Sequence, residues 1–385
     1  MLAATQNLET KMTTKTPVDP NGLMEFSVVF TDRSLNHMSK SFQGVMTDIS
    51  SMLGEVYSAD EVALVPGGGT FAMEAVARQF GGGAHALIVR NGWFSYRWSQ
   101  IFEAGNFAAK TTVMKARQAG NDTRAPFAPA PIEDVVAAIR EAKPDVVFAP
   151  HVETSAGMIL PDDYLKAMSD AAHEVGALLV LDCIASGCIW VDMKATGVDV
   201  LISAPQKGWS ATPSAGLVMM SARAAARLAE TTSDSFSMDL KKWRAIMVAY
   251  EGGGHAYHLT MPTDGLRAFR DTMAETKDYG FEKLKAAQWD LGRKVRAILE
   301  AKGIKSVAAE GFQAPGVVVS YTDDPAVQNG SAFVAKGMQI AAGVPLQCDE
   351  PADFRTFRLG LFGLDKLYDV DGTVGRLTPV LDAVL

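Results

Sequence analysis

Seven short apolar runs, none of them alternating, constrain this chain more than any other feature. They are EVALVPG (61–67), HALIVR (85–90), TTVMK (111–115), DVVFAP (145–150), ALLVLDC (177–183), DVLISAP (199–205) and GLVMMS (216–221). Strands covered on both faces read as continuous Val, Ile and Leu, whereas half-exposed strands alternate. Between the runs lie stretches with helical spacing, such as TFAMEAVARQF (70–80), PIEDVVAAIREA (131–142) and DDYLKAMSDAAHE (162–174). Thr70 follows three glycines and Pro131 opens the second stretch, both usual at helix starts. Strand and helix in alternation predict an α/β fold with a mostly parallel sheet between helices. With 48% hydrophobic residues in 385, the chain can bury such a sheet.

Beyond residue 222 the texture changes to longer helical stretches, notably from Asp264 to about Ala301, and then to further strand-like runs, GVVVSYT (316–322) and FRTFRLGLF (354–362). The expected organisation is a polar leader (1–22), an arm and first helix (23–57), a large domain (58–262), a linking helical segment (263–302) and a small C-terminal α+β domain (303–385).

Charge and cysteine usage exclude several functions. Lys and Arg number 36 against 44 Asp and Glu, a net charge of −8, and no basic block offers the footprint of a nucleic-acid binder. No apolar run approaches the roughly 18 residues of a membrane helix, and the first twenty residues lack an apolar segment behind basic ones. Cys183, Cys188 and Cys348 form no close C-x-x-C pair, which opposes a disulfide framework and a thiolate zinc site. A cytoplasmic location without membrane or nucleic-acid partners is the expectation.

Three places carry chemistry. In VPGGGTFAMEA a strand ends and Gly67, Gly68 and Gly69 turn into a helix whose free N–H groups suit a phosphate. No Gly-Lys-Ser/Thr follows and Ala72 breaks G-x-G-x-x-G, so this is neither a Walker loop nor a dinucleotide fingerprint. Alone, the plainer reading is an ordinary strand-to-helix turn. In ALLVLDCIASG, Asp182 ends an apolar strand where a carboxylate needs a partner, at the edge where open α/β sheets bind ligands. A helix cap or ion pair is the plainer reading. In SAPQKG, Lys207 follows another strand, either as a solvated loop residue or as an amine whose pKa burial lowers for Schiff-base chemistry. Asp182 and Lys207 are 207 − 182 = 25 residues apart, one strand-crossover excursion. An anion hook, a carboxylate and a tethering lysine at strand ends are the three fixtures pyridoxal phosphate requires. G-x-S-x-G and H-E-x-x-H are absent, which opposes serine and zinc hydrolases.

From about Leu35 to the C-terminus the chain resembles the class V aminotransferases of the fold type I pyridoxal-phosphate enzymes, most closely the alanine/serine-glyoxylate branch. The resemblance rests on GGGTFAMEA, NGWFSYR, HVETSAG, LVLDCIASG, SAPQKG, YHLTMP and FRLGLFG, in that order. It implies that Lys207 is the Schiff-base lysine and Asp182 the partner of the pyridine nitrogen. Gly68, Gly69, Thr70 and Gln206 then cradle the phosphate. Phe94, with Trp93 as its neighbour, stacks on the ring, Ile184 covers the other face, and Thr154 bonds near the ring oxygen. Tyr257 and Thr260 match positions that reach across to the neighbouring subunit's cofactor phosphate, so a homodimer is implied, and Arg358 matches the arginine that holds the substrate carboxylate.

The implied reaction is a ping-pong transfer from an alanine- or serine-type amino acid to glyoxylate or pyruvate. A β-elimination lyase or a cysteine desulfurase is the alternative on the same fold. A desulfurase needs a mobile thiolate, and Cys348 in PLQCDEP is the one plausible exposed candidate. The family's Pro-Gly-Pro opening is missing, which leaves Asn36 and His37 of the arm as possible replacements outside the catalytic set.

Overall fold

The computed structural model describes residues 18–385, so most of the expected leader lies outside the described residues. All seven apolar runs form strands: β1 (Glu61–Pro66), β2 (His85–Arg90), β3 (Lys110–Lys115), β4 (Val146–Pro150), β5 (Leu178–Asp182), β6 (Val200–Ser203) and β7 (Ala215–Met220). They join in one sheet in the order β1-β7-β6-β5-β4-β2-β3. Every residue of β4, β5, β6 and β7 is buried, which is why these runs do not alternate.

Strands β6, β5, β4, β2 and β3 are mutually parallel, while β7 runs antiparallel to both β6 and β1. The segment between β6 and β7 contains no helix. Too short for a crossover, it returns the chain in the opposite direction. Strand β1 therefore points the same way as β6, and Pro66, Arg90, Pro150, Asp182 and Ser203 all end at one edge.

Helix α1 (Lys40–Tyr57) starts at Ser39, whose hydroxyl accepts from Phe42 N, and buries Phe42, Val45, Met46, Ile49 and Leu53. The arm before it has no strand or helix, and Leu23, Met24, Phe26 and Val28 are exposed along it. The helical stretch expected from Asp264 is two helices, Thr263–Tyr279 and Phe281–Ala301. They break at Gly280, whose φ of 108° no helix accommodates. Strands β8 (Val317–Tyr321), β9 (Ala341–Ala342) and β10 (Thr356–Gly360) build a second, antiparallel sheet in the order β8-β10-β9. Val317, Val319 and Tyr321 pack there with Val307, Leu346 and Cys348. Cys348 is thus buried, correcting its expected exposure. Its Sγ lies 3.3 Å from the Arg90 carbonyl, and burial raises the thiol to about 12.

Candidate active site

After β1, Gly67 adopts a φ of +119°, open to glycine, and Gly68 begins helix α2 (Gly69–Gly81) without a side-chain cap. A Cβ on Gly69 would stand 2.4 Å from Cδ1 of Ile184, so the turn lies flush against the loop after β5. The next residue, Thr70, accepts a hydrogen bond at 3.3 Å from Nη1 of Arg97.

Asp182 is 8% exposed, and its carboxylate accepts one hydrogen bond among the described residues, from Ile184 N at 2.9 Å. Desolvation, aided by the charge of Glu153, raises the group to about 7, while the Ile184 bond and Arg97 pull the other way. The strand end is braced by His151, whose N–H donates to the Asp182 carbonyl and whose Nδ1 lies 2.7 Å from Ser186 Oγ. Burial, with the charge of Lys285, lowers that imidazole to about 3, so it stays neutral.

Lys207 follows β6 in a turn that lies against the loop after β5: a Cβ on Gly208 would meet the Gly187 carbonyl at 2.1 Å. Its Nζ is 5.3 Å from the Phe362 ring centre. Burial, then the charges of Arg358 and Arg97, lowers its pKa. Beside it, Gln206 Oε1 is buried without a partner.

Helix α3 (Trp93–Gly105) follows β2 through Asn91 and Gly92. Its N-terminus is closed by Glu153, fully buried, which accepts from Phe94 N, Ser95 N, Ser95 Oγ, Ser155 N and Ser155 Oγ. A carboxylate on exposed helix N–H groups is a favourable pairing. A side chain at Gly92 would collide with Ser155 and Glu153. This cap sets Phe94, whose ring carries the guanidinium of Arg97 at 4.7 Å and that of Arg358 at 5.4 Å. Trp93 packs on Tyr96 instead. Arg358, on β10, donates from Nε to the Ala342 carbonyl. Thr154 is half-buried in the turn that follows Glu153.

The fold thus gathers Gly68, Gly69, Thr70, Phe94, Asp182, Ile184, Gln206, Lys207 and Arg358 at the sheet's C-terminal edge. Tyr257 and Thr260 are not drawn in. Tyr257 is 52% exposed, bonds Thr260 at 3.0 Å and stacks on His37 at 5.3 Å. Asn36 serves the arm, bonding Glu25, Ser27 and Met38 N. Sequence reasoning missed Arg97, Glu153 and His151. All three stand inside quoted motifs, and Arg97 is three residues from Phe94, hence on the same helix face.

The class V aminotransferase family model matches residues 25–343. A 2-aminoethylphosphonate–pyruvate transaminase from Paraburkholderia phymatum is 27% identical over 90% of this chain and 89% of that protein. A soluble hydrogenase small subunit from Synechococcus is 24% identical over 90% of this chain and 87% of that protein. The crystal structure of an alanine–glyoxylate aminotransferase from Nostoc superposes with a TM-score of 0.72 at 23% identity, over 91% of this chain and 89% of the other. With the family model spanning most of an α/β chain whose strand ends converge on one site, the chain belongs to the class V aminotransferases, pyridoxal-phosphate enzymes of fold type I.

Proposed function

We propose that this enzyme moves an amino group from a small amino acid of the alanine or serine type to pyruvate or glyoxylate, by a ping-pong scheme. One observation carries the reading: a nearly unpartnered buried carboxylate, Asp182, shares one edge of the sheet with three cations, Lys207, Arg97 and Arg358, of which Arg97 acts on it directly and none is ion-paired to a described residue. Such charges stay unmatched until ligands arrive. Pyruvate is also the acceptor named for the Paraburkholderia relative. The lysine, the acid and the glycine turn together suit amino-group transfer rather than the hydrogenase activity named for the Synechococcus relative.

The residues fit pyridoxal phosphate. The uncapped start of α2, with no room for a side chain at Gly69, suits a phosphate, with the Thr70 hydroxyl and the Gln206 side-chain amide N–H as further donors. When bound, the cofactor supplies an electron sink for the charge left on the substrate's α-carbon. Asp182 would be the partner of a protonated ring nitrogen, a cation that would favour its ionised form. Phe94 and Ile184 would cover the two faces of the ring, and Thr154 would donate beside it. The amine of Lys207, lowered by burial, gives the cofactor its tether and takes and returns the substrate's α-proton. Arg358 receives the substrate carboxylate on its fork. Tyr257 and Thr260, exposed on this chain, reach the second subunit of a homodimer in this reading.

The desulfurase alternative is opposed by burial of all three cysteines, which raises each thiol. Free cysteines also fit the cytoplasm, and no helix among the described residues is long and apolar enough to cross a membrane. A division into large and small domains near 263 and 303 follows the change from the large sheet to the second one.

The test adds alanine, serine, aspartate, cysteine and 2-aminoethylphosphonate separately to the purified enzyme without a keto acid. Alanine or serine is expected to yield one equivalent of keto acid per site, then sustained turnover once glyoxylate or pyruvate is added, and Lys207→Ala is expected to abolish both. Continuous release of pyruvate with ammonia or sulfide and no acceptor would instead make it a lyase.

A further inference from the structure

A phosphate monoester carries close to two negative charges near neutrality. The anchors proposed so far are all neutral: the first N–H groups of α2, the Thr70 hydroxyl and the Gln206 amide. A dianion withdrawn from water onto neutral donors alone is poorly compensated. Of the three cations at this edge, Lys207 is committed to the tether and Arg358 to the substrate carboxylate.

Arg97 remains. Its Nη1 already touches Thr70, and its guanidinium lies over Phe94, a geometry that supports the fork by cation–π attraction. It pairs with no described carboxylate. We infer that Arg97 neutralises the cofactor's phosphate, closing on it from α3 while Thr70 and the start of α2 hold it from the other side. The inference rests on the cofactor reading of the previous subsection. It also gives Glu153 a task as a positioning residue, since the cap on α3 sets both Phe94 and Arg97.

The test compares pyridoxal phosphate with pyridoxal, which lacks the phosphate, as ligands for cofactor-stripped full-length enzyme, with affinity read from absorbance of the bound chromophore. Arg97→Gln is expected to weaken pyridoxal phosphate roughly 10- to 100-fold, the range for a lost charge-assisted pair, and to leave pyridoxal within about threefold. Arg97→Lys is expected to recover part of the loss. Arg97→Met, which keeps the stem over Phe94, gives the same answer should the glutamine variant fail to fold. An unchanged preference for the phosphate-bearing ligand overturns the inference alone. A wild-type enzyme that binds neither ligand overturns the cofactor reading with it.

Discussion

Two buried aspartates sit at opposite ends of neighbouring strands and live in opposite circumstances. Asp199, just before β6, is 2% exposed and fully served: Leu179 N and His173 Nε2 each stand 2.9 Å from Oδ2, and the Ser221 hydroxyl donates to Oδ1 at 3.2 Å. Asp182, at the end of β5, is almost as buried and accepts a single hydrogen bond among the described residues. Burial is alike and provision is not. The chain completes the network at the N-terminal edge of the sheet and leaves it open at the C-terminal edge, where an outside group must complete it. The first aspartate stabilises the fold, and the second costs stability until a ligand arrives.

The largest effect that sharpens this contrast is Asp182→Asn, expected to cut turnover by at least about 100-fold, in the range for a lost electrostatic partner. The same change is expected to stabilise the cofactor-free protein at alkaline pH. The carboxyl is raised from 3.8 to about 7, so its contribution to stability is present below pH 3.8 and is lost as pH rises through 7. The asparagine variant should melt above wild type at pH 8, by at most about 4 kcal/mol of stability, and match it near pH 4. A pH-independent difference would break the argument.

Asp199→Asn is expected to do the reverse. Losing the acceptor of a buried network costs about 2–3 kcal/mol, read as a lower denaturation midpoint, while affinity for pyridoxal phosphate stays unchanged. Weakened cofactor binding in a variant that still folds would show that the two edges are not independent.

The smallest effect is Gly69→Ala, whose new methyl meets the flexible tip of Ile184. About 1 kcal/mol of overpacking is expected, with cofactor affinity several-fold lower, and Ile184→Val in the same chain should recover part of it by removing Cδ1. Affinity equal to wild type would detach this contact from the site.

Strands were legible because burial on both faces stamps continuous apolar runs, and so were Asp182 and Lys207, charged residues where such runs end. The direction of β7 was not, since it depends on the length of the segment before it rather than on its composition. Gly280 sits inside an unbroken helical pattern, and its positive φ leaves no periodic trace. Arg97 reads like any arginine on a helix face, and Glu153 like any acid. What distinguishes them is partners, two on one aromatic ring and five on one carboxylate, which spacing does not encode. Cys348 misled for the same reason: polar neighbours in PLQCDEP suggested exposure, whereas tertiary packing buries the thiol beneath Arg90.

The most direct test of two differently provisioned edges is a thermal melt of wild type, Asp182→Asn and Asp199→Asn at pH 8, with and without saturating pyridoxal phosphate. Asp182→Asn is expected to start highest and gain least from the cofactor, while Asp199→Asn starts lowest and gains as much as wild type. Equal gains in all three proteins would contradict it.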